Sequence, residues 1–339
     1  MQLVPPGAAK SAKLHVESIF RETTKSRQRE FKALLAARLT LLGTGAALRG
    51  FFRMTQTRRT WLVINPHSGS YDEKAFEALG DCCAANGVTI DKVIRFPDED
   101  LPTAARLDEA GIDLVMIFTG DGTINALVTG LYGWGGAVLV LPGGTMNLLS
   151  QRLHGSTGSE VIVKRVANGE YRALRPSVVR CARGDALAGL MAGPGTSWNT
   201  VREAMRKRDI LAMAEGTAQA LGESTGGVMV RVVEPRLGVS DGYPLVVLTP
   251  ESGKMSVAAY HSETVGDYAQ QGVALLKRDF REGPHDELGT FTTMTIASTG
   301  GETLDVLIDG EPASLPPRAA FHVTPCEVDL VVTCPDTAP

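Results

Sequence analysis

The chain has 339 residues, 43% hydrophobic and 21% charged, with a formal net charge of −4. That balance supplies core for two domains, excludes global disorder, and leaves no charge-free apolar run long enough for a membrane-spanning helix. The acidic total argues against a general nucleic-acid binder, although residues 1–60 hold 12 Lys/Arg against 3 Asp/Glu.

Residues 1–59 read as a basic N-terminal extension, helical or partly disordered. Pro5, Pro6 and Gly7 discourage regular structure at the start, and 28–42 are rich in Ala, Leu, Arg and Lys, all good helix formers. Leu48, Phe51, Phe52 and Met54 then lie among Arg49, Arg53, Arg58 and Arg59. A basic, apolar segment over 28–59 suits peripheral contact with an anionic membrane surface. A helical arm packed on its own protein, or a mobile tail, fits the same residues.

From Trp61 the pattern alternates. Strands are predicted over 61–65, 88–96, 113–118 and 137–141, with helices over 72–86, 101–110 and 123–131. This spacing indicates βαβ units and a parallel sheet, here an α/β domain over 60–172. The strands are nearly continuous apolar runs, as expected for strands covered on both faces. Beyond Arg172 short strand-like runs dominate: 177–181, 227–233, 244–248, 291–297, 303–308 and 328–332. Asp241-Gly242, Gly300-Gly301 and Asp309-Gly310 separate several of them. That texture predicts a β-sandwich-like domain over 173–335, with a helical insert over about 199–221. A cleft between the two domains is the expected ligand site.

Cys82, Cys83, Cys181, Cys326 and Cys334 form no CxxC pair and no zinc-type spacing. Few thiols in a long chain, and no basic start followed by an apolar core, point to the cytoplasm. The six histidines are scattered, and only His67 lies in a motif.

Three glycine-containing loops each follow a predicted strand of the α/β half: Asn65-Pro66-His67-Ser68-Gly69, Thr119-Gly120-Asp121-Gly122-Thr123-Ile124-Asn125, and Pro142-Gly143-Gly144-Thr145-Met146-Asn147. In a parallel sheet all three emerge at the carboxyl edge, where ligands bind. Glycine lets backbone N–H groups approach an anion, and Thr123 and Thr145 stand at expected helix starts. Ser68 and Asn147 add side-chain donors. Asp121 is an acid in loops suited to phosphate, which points to Mg²⁺ or to a transferable proton. Neither a Walker pattern nor GxGxxG is present.

In order and spacing these loops, with Asp309-Gly310-Glu311 later in the chain, resemble the diacylglycerol kinase catalytic-domain family, which includes bacterial lipid kinases and the sphingosine and ceramide kinases. The family pattern runs NPxSG, GGDGTxNE, PxGTxND and DGE, and the likeness covers roughly 60–335. It implies a phosphofructokinase-like α/β domain that binds ATP, a β-sandwich domain, and a lipid acceptor between them. It also implies phosphoryl transfer to a lipid hydroxyl, in lipid metabolism and phospholipid biosynthesis, with ATP and Mg²⁺ as cofactors. Asp121 and Glu311 would be catalytic, Glu311 as general base and Asp121 also toward the metal. Asn65, Ser68, Gly69, Gly120, Asp121, Gly122, Thr123, Asn125, Gly143, Gly144, Thr145 and Asn147 would hold the nucleotide. Asp241, in Ser240-Asp241-Gly242-Tyr243, would join a metal site.

Departures from the pattern are Thr119 for the first Gly of GGDGT, and Ala126 and Leu148 where acids are common. Phe96-Pro97 lies where many members have a nucleotide-contacting Thr. The alternatives are an NAD kinase-like enzyme with a soluble substrate, and a catalytically inactive nucleotide- or lipid-binding module. The residues leave the acceptor lipid and the oligomeric state open.

Overall fold

The computed structural model describes residues 59–68, 71–193, 229–261 and 285–334, all within one compact unit, Arg53–Pro339. The N-terminal extension up to residue 58, the helical insert over 199–221 and Gly69 lie outside the described residues.

The first sheet has the order β2-β1-β3-β4-β18-β5: β2 (Thr89–Arg95), β1 (Arg59–Ile64), β3 (Leu114–Thr119), β4 (Ala137–Pro142), β18 (Asp329–Val332) and β5 (Arg172–Leu174). Every pairing is parallel except β18 with β5. Side-chain alternation explains why these strands are apolar throughout. Val63, Val115, Ile117, Val138 and Val140 enter one core, while Leu62, Ile64, Leu114, Met116, Leu139 and Leu141 enter the core on the opposite face.

Helices cover both faces. α1 (Glu73–Ala85) and α5 (Ser159–Ala167) bury Leu79, Cys83, Ile162, Val163 and Val166 against one face. α2 (Ala104–Glu109), α3 (Asp121–Gly130) and α4 (Leu148–His154) bury Leu107, Ile124, Leu127, Val128, Leu149 and Leu153 against the other. Asp72 caps α1 by accepting from the Lys74 N–H, and Thr103 caps α2, which therefore starts only after Pro102. α3 begins at Asp121, two residues earlier than the sequence pattern suggests, with Gly120 as its N-cap.

The rest forms two antiparallel sheets. One has the order β10 (Arg236–Leu237), β9 (Val230–Glu234), β14 (Thr293–Ser298), β17 (Arg318–Pro325), β6 (Ser177–Cys181), β7 (Gly184–Ala186). The other has the order β13 (His285–Phe291), β12 (Lys254–Tyr260), β11 (Leu245–Glu251), β8 (Leu190–Gly193), β15 (Leu304–Ile308), β16 (Glu311–Leu315). Val179, Val232, Ile296 and Phe321 from the first meet Leu190, Val246, Val257 and Val306 from the second in one core. The antiparallel sheets expected beyond Arg172 are present.

One strand corrects the sequence pattern. Residues 328–332 group by spacing with the β-rich half, yet β18 pairs with β4 in the α/β sheet. The chain thus returns to its first sheet after building the other two. All five cysteines are free thiols. Among the described residues, no helix is long and apolar enough to cross a membrane.

Candidate active site

Because β1, β3 and β4 are parallel neighbours, the three glycine loops leave the sheet at the same edge. Close contacts then tie them together. Asn65 forms a local turn by accepting the His67 N–H at 3.0 Å, and its Nδ2 donates to Thr123 Oγ1 at 3.3 Å, joining the first loop to the second. A Cβ on Gly143 would lie 2.6 Å from the backbone of Phe118 and Thr119, and one on Gly144 would lie 2.7 Å from Gly120 Cα. The third loop therefore lies flush on the second, at a distance only glycine allows.

Asn147 closes the third loop on itself. It adopts left-handed backbone (φ 54°), accepts the Gly144 N–H at 2.7 Å and donates to the Gly144 carbonyl at 3.0 Å. Its amide thus shapes the loop. Thr145 is exposed, while Ser68, Gly120 and Thr123 are half-buried at this edge.

Asp121 starts α3 and points at the start of α4, where the Leu149 N–H donates to its Oδ1 at 3.4 Å. Burial, with the nearby Asp309 charge, pushes its carboxyl up to about 6, against the pull of the Leu149, Leu148 and Asn147 N–H groups. Leu148 thus contributes a backbone N–H here, and its side chain brings no second acid.

The last motif arrives from the other half of the molecule. Asp309 and Gly310 form the tip of the β15–β16 hairpin, and the next residue is Glu311. A Cβ on Gly122 would lie 2.6 Å from Glu311 Oε1, so the Glu311 carboxylate rests directly against the second loop, one residue from Asp121. Asp309 is buried, and burial raises its pKa despite the N–H groups around it. Glu311 itself is exposed.

Several contacts here carried no signal in the sequence. Asp309 Oδ2 accepts from Asn125 Nδ2 at 2.7 Å and from the Leu187 N–H at 2.8 Å. Its Oδ1 accepts from Ala188 at 2.8 Å and Gly189 at 3.0 Å. Arg152, on α4, donates to the Leu187 carbonyl, and burial lowers its pKa to about 10 even though it faces the Asp309 charge. Nearby, Arg180 forks onto buried Asp185 with two bonds of 2.7 Å, Tyr132 donates to the same carboxylate at 2.6 Å, and Arg180 also reaches Glu327 at 2.8 Å. His67 faces Asp98 at 3.0 and 3.1 Å.

The structure therefore brings together Asn65, Ser68, Gly120, Asp121, Gly122, Thr123, Asn125, Gly143, Gly144, Thr145, Asn147 and Glu311. Asp241 is not among them. That residue sits in an exposed turn with the Ser240 hydroxyl against it, and no group of three or more His, Cys, Asp or Glu side chains among the described residues is placed to hold a metal.

Residues 59–178 match the family model of the diacylglycerol kinase catalytic domain. The match begins at β1 and ends in β6, so it contains all three glycine loops and stops before the hairpin of Glu311. Among solved structures, a diacylglycerol kinase from Bacillus anthracis str. Sterne is similar at 16% identity and a TM-score of 0.56, over 85% of this chain and all (100%) of that one. A second structure from that strain, provisionally described as a diacylglycerol kinase, is similar at 15% identity and a TM-score of 0.56, with the same coverage. At such identities the likeness shows a shared fold that extends past the catalytic-domain match. Comparison with curated proteins returns no match.

Proposed function

We propose that the chain is an ATP-dependent lipid kinase that moves the γ-phosphate to a hydroxyl of a diacylglycerol, sphingoid-base or ceramide-class acceptor. The observation that carries this reading is the contact of Glu311 with Gly122. It sets a carboxylate from the β-rich half against the residue that follows Asp121, at the edge where the glycine loops converge. Together with the catalytic-domain match, that supports a phosphoryl-transfer centre at the seam of the two halves.

The residues have separable tasks. Backbone N–H groups of the loops, with Ser68, Thr123 and Thr145, would cradle the triphosphate, and the α3 N-terminus favours its charge. Asn65 and Asn147 hold the loops in shape. Glu311, exposed and aimed at the loop, would take the proton of the attacking hydroxyl, a role worth about 10²–10⁴-fold in rate. Such catalysis is otherwise positioning and charge neutralisation.

A Mg²⁺ ion fits a sparse donor set. Such ions are commonly bound by one or two carboxylates plus substrate phosphates, and Asp121 is the half-buried acid facing the loops. When bound, the ion would neutralise phosphate charge. The β-rich half, 177–325, would carry the lipid, and the basic segment 28–59 would bring the enzyme to the inner membrane surface from the cytoplasm.

The test is transfer from γ-labelled ATP, with Mg²⁺, to micelles of each candidate lipid, with Asp121→Asn as the control. Label in one lipid class that vanishes in the variant is expected. Label in NAD alone would replace the reading with a soluble-substrate kinase. Bound ATP with no labelled acceptor would leave an inactive binding module.

A further inference from the structure

The catalytic reading depends on an exposed side chain, Glu311, holding one place over Gly122. Its own hairpin does not secure this. The tip consists of Asp309 (φ 48°) and Gly310 (φ 87°), left-handed at both positions, which is the two-residue turn that suits the twist of paired strands. Such a turn fixes register, Ile308 opposite Glu311, but leaves the tip free to rock against another layer.

Two points of attachment on α3 limit that freedom. Gly122 and Asn125 are three residues apart in a helix, so they share a face. Glu311 meets Gly122, and Asp309 meets Asn125. Asn125 Nδ2 donates to Asp309 Oδ2 at 2.7 Å and to the Asp185 carbonyl at 2.8 Å, so both amide hydrogens are committed to the β-rich half. The Leu187, Ala188 and Gly189 N–H groups complete the shell of Asp309, and the Asp309 N–H donates back to the Gly189 carbonyl at 3.0 Å. Four N–H donors match the acceptor capacity of one carboxylate. Three of them belong to the same half as Asp309, and only Asn125 crosses from α3.

We propose that Asn125 is a positioning residue for phosphoryl transfer: it ties the hairpin tip to α3 so that Glu311 stands over Gly122. This rests on the kinase reading and adds to it a role distinct from nucleotide contact, since the Asn125 amide faces the seam.

The test is a double-substitution cycle in the full-length chain, with Asn125→Ala and Glu311→Gln singly and together, read as kcat and as KM for ATP. Misplacing a reacting group by about 1 Å costs up to ~10²-fold. Asn125→Ala should therefore lower kcat by roughly 10- to 100-fold, with KM for ATP within about twofold. Added to Glu311→Gln it should cost less than about twofold, because the residue it positions is already disabled. An equal loss in both backgrounds overturns the proposal, and so does a raised KM with unchanged kcat, the signature of a nucleotide ligand.

Asn125→Asp keeps the shape, removes both donors and faces Asp309 with a like charge. It should reproduce the kcat loss, and it serves if the alanine variant unfolds. Hydrogen exchange gives a readout independent of turnover. The Leu187, Ala188 and Gly189 amides should be protected in the native chain and exchange faster in either variant. If the native chain labels no acceptor, the kinase reading fails, and exchange alone then decides the tie. Unprotected native amides, or unchanged protection in the variants, would refute it.

Discussion

Gly122→Ala separates function from stability at the centre of the site. The new Cβ would lie 2.6 Å from Glu311 Oε1, whereas ordinary contact begins near 3.4 Å, so the carboxylate must retreat by about 0.8 Å. The obstructing atoms, Oε1 with Cδ at 3.0 Å and Cγ at 3.2 Å, all belong to one flexible exposed side chain, which can swing aside. Gly122 lies in the first turn of α3, where alanine is favoured over glycine by at most the helix-interior figure of about 0.5–1 kcal/mol. The variant should melt at or slightly above the native temperature. Its kcat should nevertheless fall about 10- to 100-fold, the cost of misplacing a base by close to 1 Å. Gly130→Ala, at the far end of the same helix with nothing within 4 Å of the added Cβ, is the control and should keep full activity. Thermal melting and steady-state transfer on the same preparations check both quantities. Native kcat in Gly122→Ala would show that Glu311 does no chemistry where it stands, and would remove it from the mechanism.

Other consequences concern the frame that carries the site. His154 is buried with Nδ1 at 2.9 Å from Thr333 Oγ1, and burial pushes its pKa down to about 4. The unfolded chain, with a histidine pKa near 6.5, then binds more protons than the folded one as pH falls from about 6.5 to 4. This contribution is complete above pH ~6.5, and about 3 kcal/mol of it is gone by pH 4. Asp121, raised to about 6, acts oppositely, since its contribution is lost as pH rises from about 4 toward 6. Denaturant curves of native protein and His154→Gln isolate the histidine, and their stability difference should change by about that amount over pH 4–7. A pH-independent difference would refute the assignment. Arg180→Met leaves buried Asp185 without its bidentate cation and should cost about 3 kcal/mol in urea unfolding. A cost under about 1 kcal/mol would mean that Tyr132 and its surroundings satisfy Asp185 alone.

The α/β half was legible because each strand is an apolar run stopped by a glycine loop, and both facts are local. Val63 and Leu62 face opposite cores, so the strand had to be apolar at every position, and that shows in sequence. The convergence of the loops followed from the parallel order alone. Less local features did not show. β18 looks like its neighbours, and nothing in Asp329–Val332 announces that its partner is β4. α4 and α5 give little helical signal, because α4 is short and follows a left-handed Asn147, while Val161 and Val163 weaken the helical pattern of α5. At the site, Asp121 and Glu311 stood out as acids in glycine-flanked positions. Asp309, from the same motif, gave no hint of its shell, because its donors at Asn125 and Leu187–Gly189 are distant in sequence and mostly backbone. Asn125 was legible as part of a nucleotide motif, and only three dimensions show which way its amide faces.

The most direct test of the central claim is single-turnover transfer by Glu311→Gln at matched ATP occupancy, with the lipid that the native chain labels. If Glu311 takes the hydroxyl proton, ATP should bind with native affinity while the transfer rate falls by about 10²–10⁴-fold. Transfer at the native rate with ATP bound would contradict the account and would leave the contact between Glu311 and Gly122 as packing alone.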